Sequence, residues 1–361
     1  MGMTSDLVTA MADGIGEFSY LSEEWIGAAQ KQLTRLSELQ SDSLAGKQFV
    51  YCEVAHNAPA FLHVGPKLAM NMTIDNGSVS VAAGELPDSE CDFKLQGDHS
   101  ILSNLAHVQY HGRDPKVVAA ATARLGTLSR WETAGEKPID PAIKAFFRSA
   151  HDAMAPLTMP RFVFMTPEWA TTARYVVSTR AEKYRDQLSN IEYTFSEVFT
   201  DTPGYAFPDG SYGGFWVRCD RGNVTVGAGP LPEALEPADL QGMGLYTPVV
   251  PAGRTVNAAL TEEEKQQLEE YNKVALRFDK DTGRRPMNFT LSEKGPFGPE
   301  LGSVMEVLHD EMSKRTAGDL PGDYDDSIKP EWATPNQFDR PDGYDKSWLR
   351  YDEVDIFGDP R

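Results

Sequence analysis

The feature that most constrains this chain is that it repeats itself. Leu21-Ser22-Glu23-Glu24-Trp25 returns as Met165-Thr166-Pro167-Glu168-Trp169, and Phe49-Val50-Tyr51-Cys52-Glu53-Val54 as Tyr193-Thr194-Phe195-Ser196-Glu197-Val198, each 144 residues later. Pro59 and Pro203 keep the same offset. Ala83-Gly84-Glu85-Leu86-Pro87 and Ala228-Gly229-Pro230-Leu231-Pro232 stand 145 residues apart, as do Leu95-Gln96-Gly97 and Leu240-Gln241-Gly242. His151-Asp152-Ala153-Met154 and His309-Asp310-Glu311-Met312 end the series at 158. Landmarks in one order, with insertions only between them, call for one supersecondary arrangement built twice. The 361 residues therefore divide into repeats of 1–158 and 159–316, with a C-terminal arm of 317–361 left over.

Each repeat reads as the same run of elements. Ser22 and Thr166 are N-cap residues before amphipathic helices, with Pro167 at the first helical position of the second. The strand that follows carries Glu53 or Glu197 on an aromatic face, because alternate side chains share a face and Phe49, Tyr51 and Glu53 alternate. Further strands are expected over 78–82 and 215–226, the latter turned by Asp220-Arg221-Gly222-Asn223. Helices are expected over 100–111 and 115–125, a strand over 128–133, and closing helices over 141–154 and 299–312. The charged run 262–270 reads as a solvated helix. The arm is acidic yet rich in aromatics, among them Trp332, Phe338 and Trp348, which fits packing on its own domains or on a second subunit in a homodimer.

A net charge of −20 argues against nucleic acid and anionic membrane surfaces as partners, since both reward clustered Lys and Arg. No apolar run reaches the length of a membrane span. The cysteines Cys52, Cys91 and Cys219 are odd in number and fit neither a disulfide framework nor a zinc spacing. With no secretory pattern over 1–18, a reducing, cytoplasmic location is expected. There is no Gly-x-Ser-x-Gly elbow, Walker loop or dinucleotide fingerprint, so no cofactor is expected.

Tyr20-Leu21-Ser22-Glu23-Glu24-Trp25-Ile26 resembles the opening helix of bacterial sterol carrier protein 2-like domains. Val79-Ser80-Val81-Ala82-Ala83-Gly84 and Val224-Thr225-Val226-Gly227-Ala228-Gly229 are similar to that family's central strand and turn. Gly112-Arg113-Asp114-Pro115 with Leu128-Ser129-Arg130-Trp131-Glu132 resembles its lipid-side helix and final strand, and His151 to Met154 its last helix. The resemblance implies an α+β fold in tandem: in each repeat a mixed, mostly antiparallel sheet covered by helices on one face. It also implies an apolar tunnel for a lipid, acyl, steroid, terpenoid or aromatic molecule. The family has no universal catalytic motif.

Glu53 is either a general acid or base lifted by an apolar wall, or a structural carboxylate satisfied by backbone amides or an Arg. Its twin Glu197 favours the structural role. Five of the seven histidines, His56, His63, His99, His107 and His111, lie in the first repeat alone, so chemistry is expected there. His107 and His111 are spaced to share a helical face. With two evident ligands they make no metal site. Tyr110, Arg113 and Arg130 are placed to clamp a carboxylate or phenolate. Tyr51, His56, Phe61, His63 and Trp131 are the expected lining of a binding site. Two functions follow: binding of a hydrophobic or amphipathic molecule in an interlayer tunnel, or a cofactor-independent lyase, hydratase or isomerase. In the enzyme, Glu53, His107 or His111 is the base, and Arg113 or Tyr110 stabilises charge.

Overall fold

The computed structural model describes residues 6–126, 129–132, 139–200, 213–245, 262–263, 266, 287–295 and 297–317. The C-terminal arm beyond Ala317, most of the charged run 262–270 and the loop holding Pro203 lie outside them. The chain divides into two compact units, the break falling between Arg161 and Phe162.

The first unit is an α+β layer. Its strands are β1 (Gln48–His56), β2 (Lys67–Asp75), β3 (Ser78–Ala83), β4 (Phe93–Asp98) and β5 (Ser129–Glu132), in the order β3-β2-β1-β4-β5. Three ladders are antiparallel and the central β1–β4 pair is parallel. Asn76 and Gly77 both adopt positive φ, 48° and 91°, which is what a two-residue hairpin turn between β2 and β3 demands. The helices are α1 (Asp6–Ala10), α2 (Glu23–Leu39), α3 (Ser41–Leu44), α4 (His99–His107), α5 (Pro115–Gly126) and α6 (Pro141–Met154).

In α2 the Ser22 hydroxyl accepts the Trp25 amide at 3.2 Å, and Trp25, Ala29, Leu33 and Ser37 form the buried stripe. Leu33 of that stripe and the Ile143, Phe146 and Ala150 face of α6 pack on Phe49, Met72, Ile74 and Val79 of the sheet. The opposite face of β1 is used as well. Cys52 and Val54 pack with Cys91, Ala69 and Leu86, and all three cysteines are buried free thiols.

The second unit repeats the topology strand for strand. Its strands β6 (Glu192–Thr200), β7 (Gly213–Asp220), β8 (Asn223–Ala228), β9 (Leu240–Leu245) and β10 (Met287–Leu291) run in the order β8-β7-β6-β9-β10 with the same pairing senses. Among the described residues its helices include α7 (Pro167–Arg180) and α8 (Pro299–Lys314). Details recur too. Leu21 and Met165, each just before its N-cap, hold left-handed φ of 58° and 62°. Each helix-opening tryptophan donates its indole N–H to a threonine, Trp25 to Thr158 at 2.9 Å and Trp169 to Thr316 at 2.8 Å.

Two expectations change. The LQG match is out of register: Glu53 pairs with Leu95 and Leu95 with Trp131, whereas Glu197 pairs with Gly242 and Gly242 with Phe289. Structural equivalents on β4 and β9 therefore lie 147 residues apart, as Asp92 and Asp239 confirm by accepting the Val50 and Thr194 amides at 2.9 and 2.8 Å. The slip of two keeps every side chain on its face. Secondly, the helix expected over 100–111 ends at His107, because Val108 is extended at φ −65° and ψ 139°.

Candidate functional site

Between the sheet and the helices of the first unit lies a cavity of about 900 Å³. Its inner wall is buried: Trp25 from α2, Met70 and Met72 from β2, Leu95 from β4, and Glu53 from the middle of β1. Tyr20, at the entry to α2, and Tyr51 on β1 complete it. Its outer edge is exposed and belongs to α6, through Lys144 and Arg148, and to His111.

Glu53 is 5% exposed. The Tyr51 hydroxyl donates to its Oε2 at 2.5 Å, and the Tyr20 hydroxyl also acts on the carboxylate, favouring its charged form. Both phenols are held rigidly. Tyr20 packs edge-on against Trp25 with ring centres 4.8 Å apart, and its carbonyl accepts the Nε2–H of the buried His99 at 2.9 Å. Tyr51 stacks on Phe93 at 5.9 Å and meets Phe147 edge-on at 5.4 Å. Burial pushes the Glu53 carboxyl up to about 7, against the pull of the Tyr51 and then the Tyr20 hydrogen bonds. Burial, followed by the charge of Glu53, raises both phenols well above their ordinary range. The result is a carboxyl group poised between protonation states near neutrality, at the end of an apolar pocket. The expectation that backbone amides or an Arg satisfy Glu53 is thus corrected: two tyrosines do so.

The second unit has the carboxylate without its partners. At the offset of 144, Tyr20 and Tyr51 become Phe164 and Phe195. Burial raises Glu197 to about 7 as well, and no hydrogen bond to it is found among the described residues. Met70, which pairs with Glu53, is matched by Phe215, which pairs with Glu197. Phe215 contacts Phe195 at 5.6 Å and Trp169 at 5.2 Å, and Phe297 meets Phe195 at 5.5 Å. Aromatic rings pack beside Glu197 where the first unit opens its cavity beside Glu53.

Of the residues singled out from the sequence, Glu53, Tyr51, Tyr110 and His111 line the cavity. The Tyr110 ring lies edge-on to His151 at 5.0 Å and 5.9 Å from the Arg148 guanidinium carbon, while Asp152 accepts the Tyr110 and His111 amides. His107 does not line it. It is buried at the end of α4, where its Nδ1–H donates to the Ala155 carbonyl at 2.9 Å, so the break at Val108 separates it from His111. Arg113 pairs with Asp13 at 3.0 Å and is not part of the lining. His56 points to the other face of β1 and meets Gln96 at 3.1 Å. Phe61 lies under Arg161, and His63 is exposed at a left-handed φ of 53°; neither lines the cavity. Trp131 pairs through its backbone with Leu95, while its side chain and that of Arg130 lie outside the described residues.

Tyr20, Met70, Lys144, Arg148 and His151 also line the cavity, and no motif in the sequence marks them as site residues. Comparing the repeats position by position would have found four of them. Tyr20 and Met70 differ from Phe164 and Phe215, and at the offset of 158 Lys144 and Arg148 are matched by Gly302 and Glu306. Among the described residues no three His, Cys, Asp or Glu side chains converge to hold a metal, and no helix is long and apolar enough to cross a membrane.

The fold and the site together define an α+β protein of two units with one topology, in which the first unit holds a largely apolar cavity closed by a Tyr-Glu-Tyr trio. The chain matches no family model and no curated protein. Among solved structures it is similar to a conserved hypothetical protein of Thermus thermophilus, offered as a candidate sterol carrier protein. That match has 12% identity and a TM-score of 0.27, and covers 40% of this chain and 92% of that one.

Proposed function

We propose that the chain is a tandem of two sterol-carrier-like domains, of which the first binds a hydrophobic or amphipathic small molecule and the second is a packed scaffold. The cavity carries this reading. At about 900 Å³ it has the volume of a small-molecule site, and its walls are apolar with a few convergent polar groups. The sequence resemblance points the same way.

Native mass spectrometry of the purified protein, paired with uptake of the fluorophore 1-anilinonaphthalene-8-sulfonate, tests it. Met70→Phe installs the second unit's own residue in the inner wall. Wild type is expected to take up the dye, and Met70→Phe to lose at least about tenfold in affinity while keeping its fold. Dye uptake unchanged by Met70→Phe would place binding elsewhere.

The trio also favours a second reading, proton transfer on the bound molecule. Glu53 would serve as base; once it has taken the ligand's proton, the Tyr20 and Tyr51 hydroxyls would turn from it to donate to the developing oxyanion, the role first expected of Arg113 or Tyr110. Exchange of ligand C–H for deuterium in D₂O, lost in Glu53→Gln, is its signature.

A further inference from the structure

Resting on the cavity of the first unit as a binding site, we propose that its ligand is polar at both ends: an anionic group at Lys144 and Arg148, and a hydroxyl or carbonyl against Glu53, Tyr20 and Tyr51.

The outer end is argued from charge. The protein carries a net charge of −20, yet the full charges on the exposed edge of this cavity are cations. No ion pair to Lys144 or Arg148 is found among the described residues. The neighbouring acids are already engaged: Asp152 accepts the Tyr110 and His111 amides, and Asp140 pairs with Lys47 at 2.7 Å and caps α6 through the Ala142 amide. Arg148 is held beside the Tyr110 ring rather than spread over the surface, so its guanidinium stays at the lip. A planar guanidinium with an ammonium one turn away on the same helix face matches a carboxylate or a sulfonate.

The inner end is argued from satisfaction of polar groups. A carboxyl group has room for about four hydrogen bonds, of which Tyr51 supplies one at 2.5 Å and Tyr20 at most another. The remaining capacity faces the cavity, which Glu53 lines. A hydrocarbon tail seated there strips water from Glu53 and returns nothing, whereas a hydroxyl or carbonyl restores a hydrogen bond.

The two ends change together. In the second unit Tyr20 and Tyr51 are Phe164 and Phe195, while Lys144 and Arg148 are Gly302 and Glu306. Loss of the inner donors, exchange of Met70 for Phe215 and reversal of the outer charge in one unit are what a shared occupant at both ends requires.

Displacement of the bound fluorophore by matched fatty acids and ω-hydroxy acids tests this. Octanoic, dodecanoic and hexadecanoic acids are compared with their ω-hydroxy counterparts, and the tightest-binding length is scored. The ω-hydroxy acid is expected to bind at least about tenfold tighter than the plain acid. Glu53→Leu, which removes the carboxyl that the ω-hydroxyl would satisfy, should level the pair. Lys144→Gly with Arg148→Glu should weaken both acids about tenfold while leaving dodecanol unchanged. Equal binding of the two acids by wild type, still abolished by Met70→Phe, overturns the two-ended ligand and leaves the cavity as a binding site. If neither acids nor dye bind, the binding reading itself falls.

Discussion

Replacing Glu53 with Gln keeps the shape of the side chain and its ability to accept the Tyr20 and Tyr51 hydroxyls, while removing the ionisation. Folding lifts this carboxyl from an ordinary 4.5 to about 7, burial being the main cause. The sign follows directly. Between those values the unfolded chain has released its proton and the folded chain still holds it, so stability falls as pH rises through this window and levels off above 7. The slope is about 1.4 kcal/mol per pH unit for one group. Because the pI is near 4.8, the accessible comparison runs from about pH 5.5 to about pH 8.5. Over it the wild type should lose about 2 kcal/mol relative to Glu53→Gln.

Urea unfolding followed by tryptophan fluorescence at the two pH values gives the double difference. It cancels groups that both proteins share, such as His151, which burial holds below its usual range and which acts in the opposite sense: its contribution is lost as pH falls below its unfolded value. Glu197→Gln should show a pH-dependent gain of the same sign, since burial lifts Glu197 to about 7 too. Its ligand binding should match wild type. A Glu53→Gln protein whose stability tracks wild type across the range would refute the argument that Glu53 is buried in its protonated form near neutrality.

The remaining predictions are structural and local. Thr158→Val and Thr316→Val each strand a buried indole N–H, and each should cost about 1 to 3 kcal/mol in urea unfolding, with similar values because the geometry is duplicated. Tyr51→Phe removes a hydrogen bond that lowers the Glu53 pKa, so the Glu53 titration should move upward in carboxyl-resolved NMR; a downward move would contradict the assigned donor.

How much of this was legible in the sequence depends on what each signal encodes. The N-caps at Ser22 and Thr166, the central strands and the Arg221-Gly222 turn were legible because each rests on local chemistry. The end of α4 was not: His99 to His111 carries no Gly or Pro before Gly112, and the chain leaves the helix at Val108 because Gln109 and His111 are tied elsewhere, to the Ala10 carbonyl and to Asp152. That tertiary override separated His107 from His111 and removed it from the site. The LQG match misled because three common residues recur easily by chance. Lys144 and Arg148 read as the ordinary solvated face of an amphipathic helix, and nothing local marks the space beside them.

Duplication carries information in its departures as well as in its matches. From the sequence, Glu197 makes Glu53 architectural, on the ground that a feature kept in both units serves both. The structure separates the carboxylate from its setting. An acid lifted to about 7 destabilises the fold at neutral pH wherever it stands, so both units bear a cost at that position. The first surrounds it with Tyr20 and Tyr51, an open volume and a cationic lip; in the second, among the described residues, Phe164 and Phe195 stand at the tyrosine positions and Phe215 pairs with it across the sheet. A purely structural carboxylate would keep its donors in both copies, because they offset its burial. The donors are instead found where the cavity is, which ties Tyr20 and Tyr51 to an occupant rather than to the sheet. Function in this chain is therefore to be sought in the differences between the units, with the shared strand as the frame that makes those differences readable.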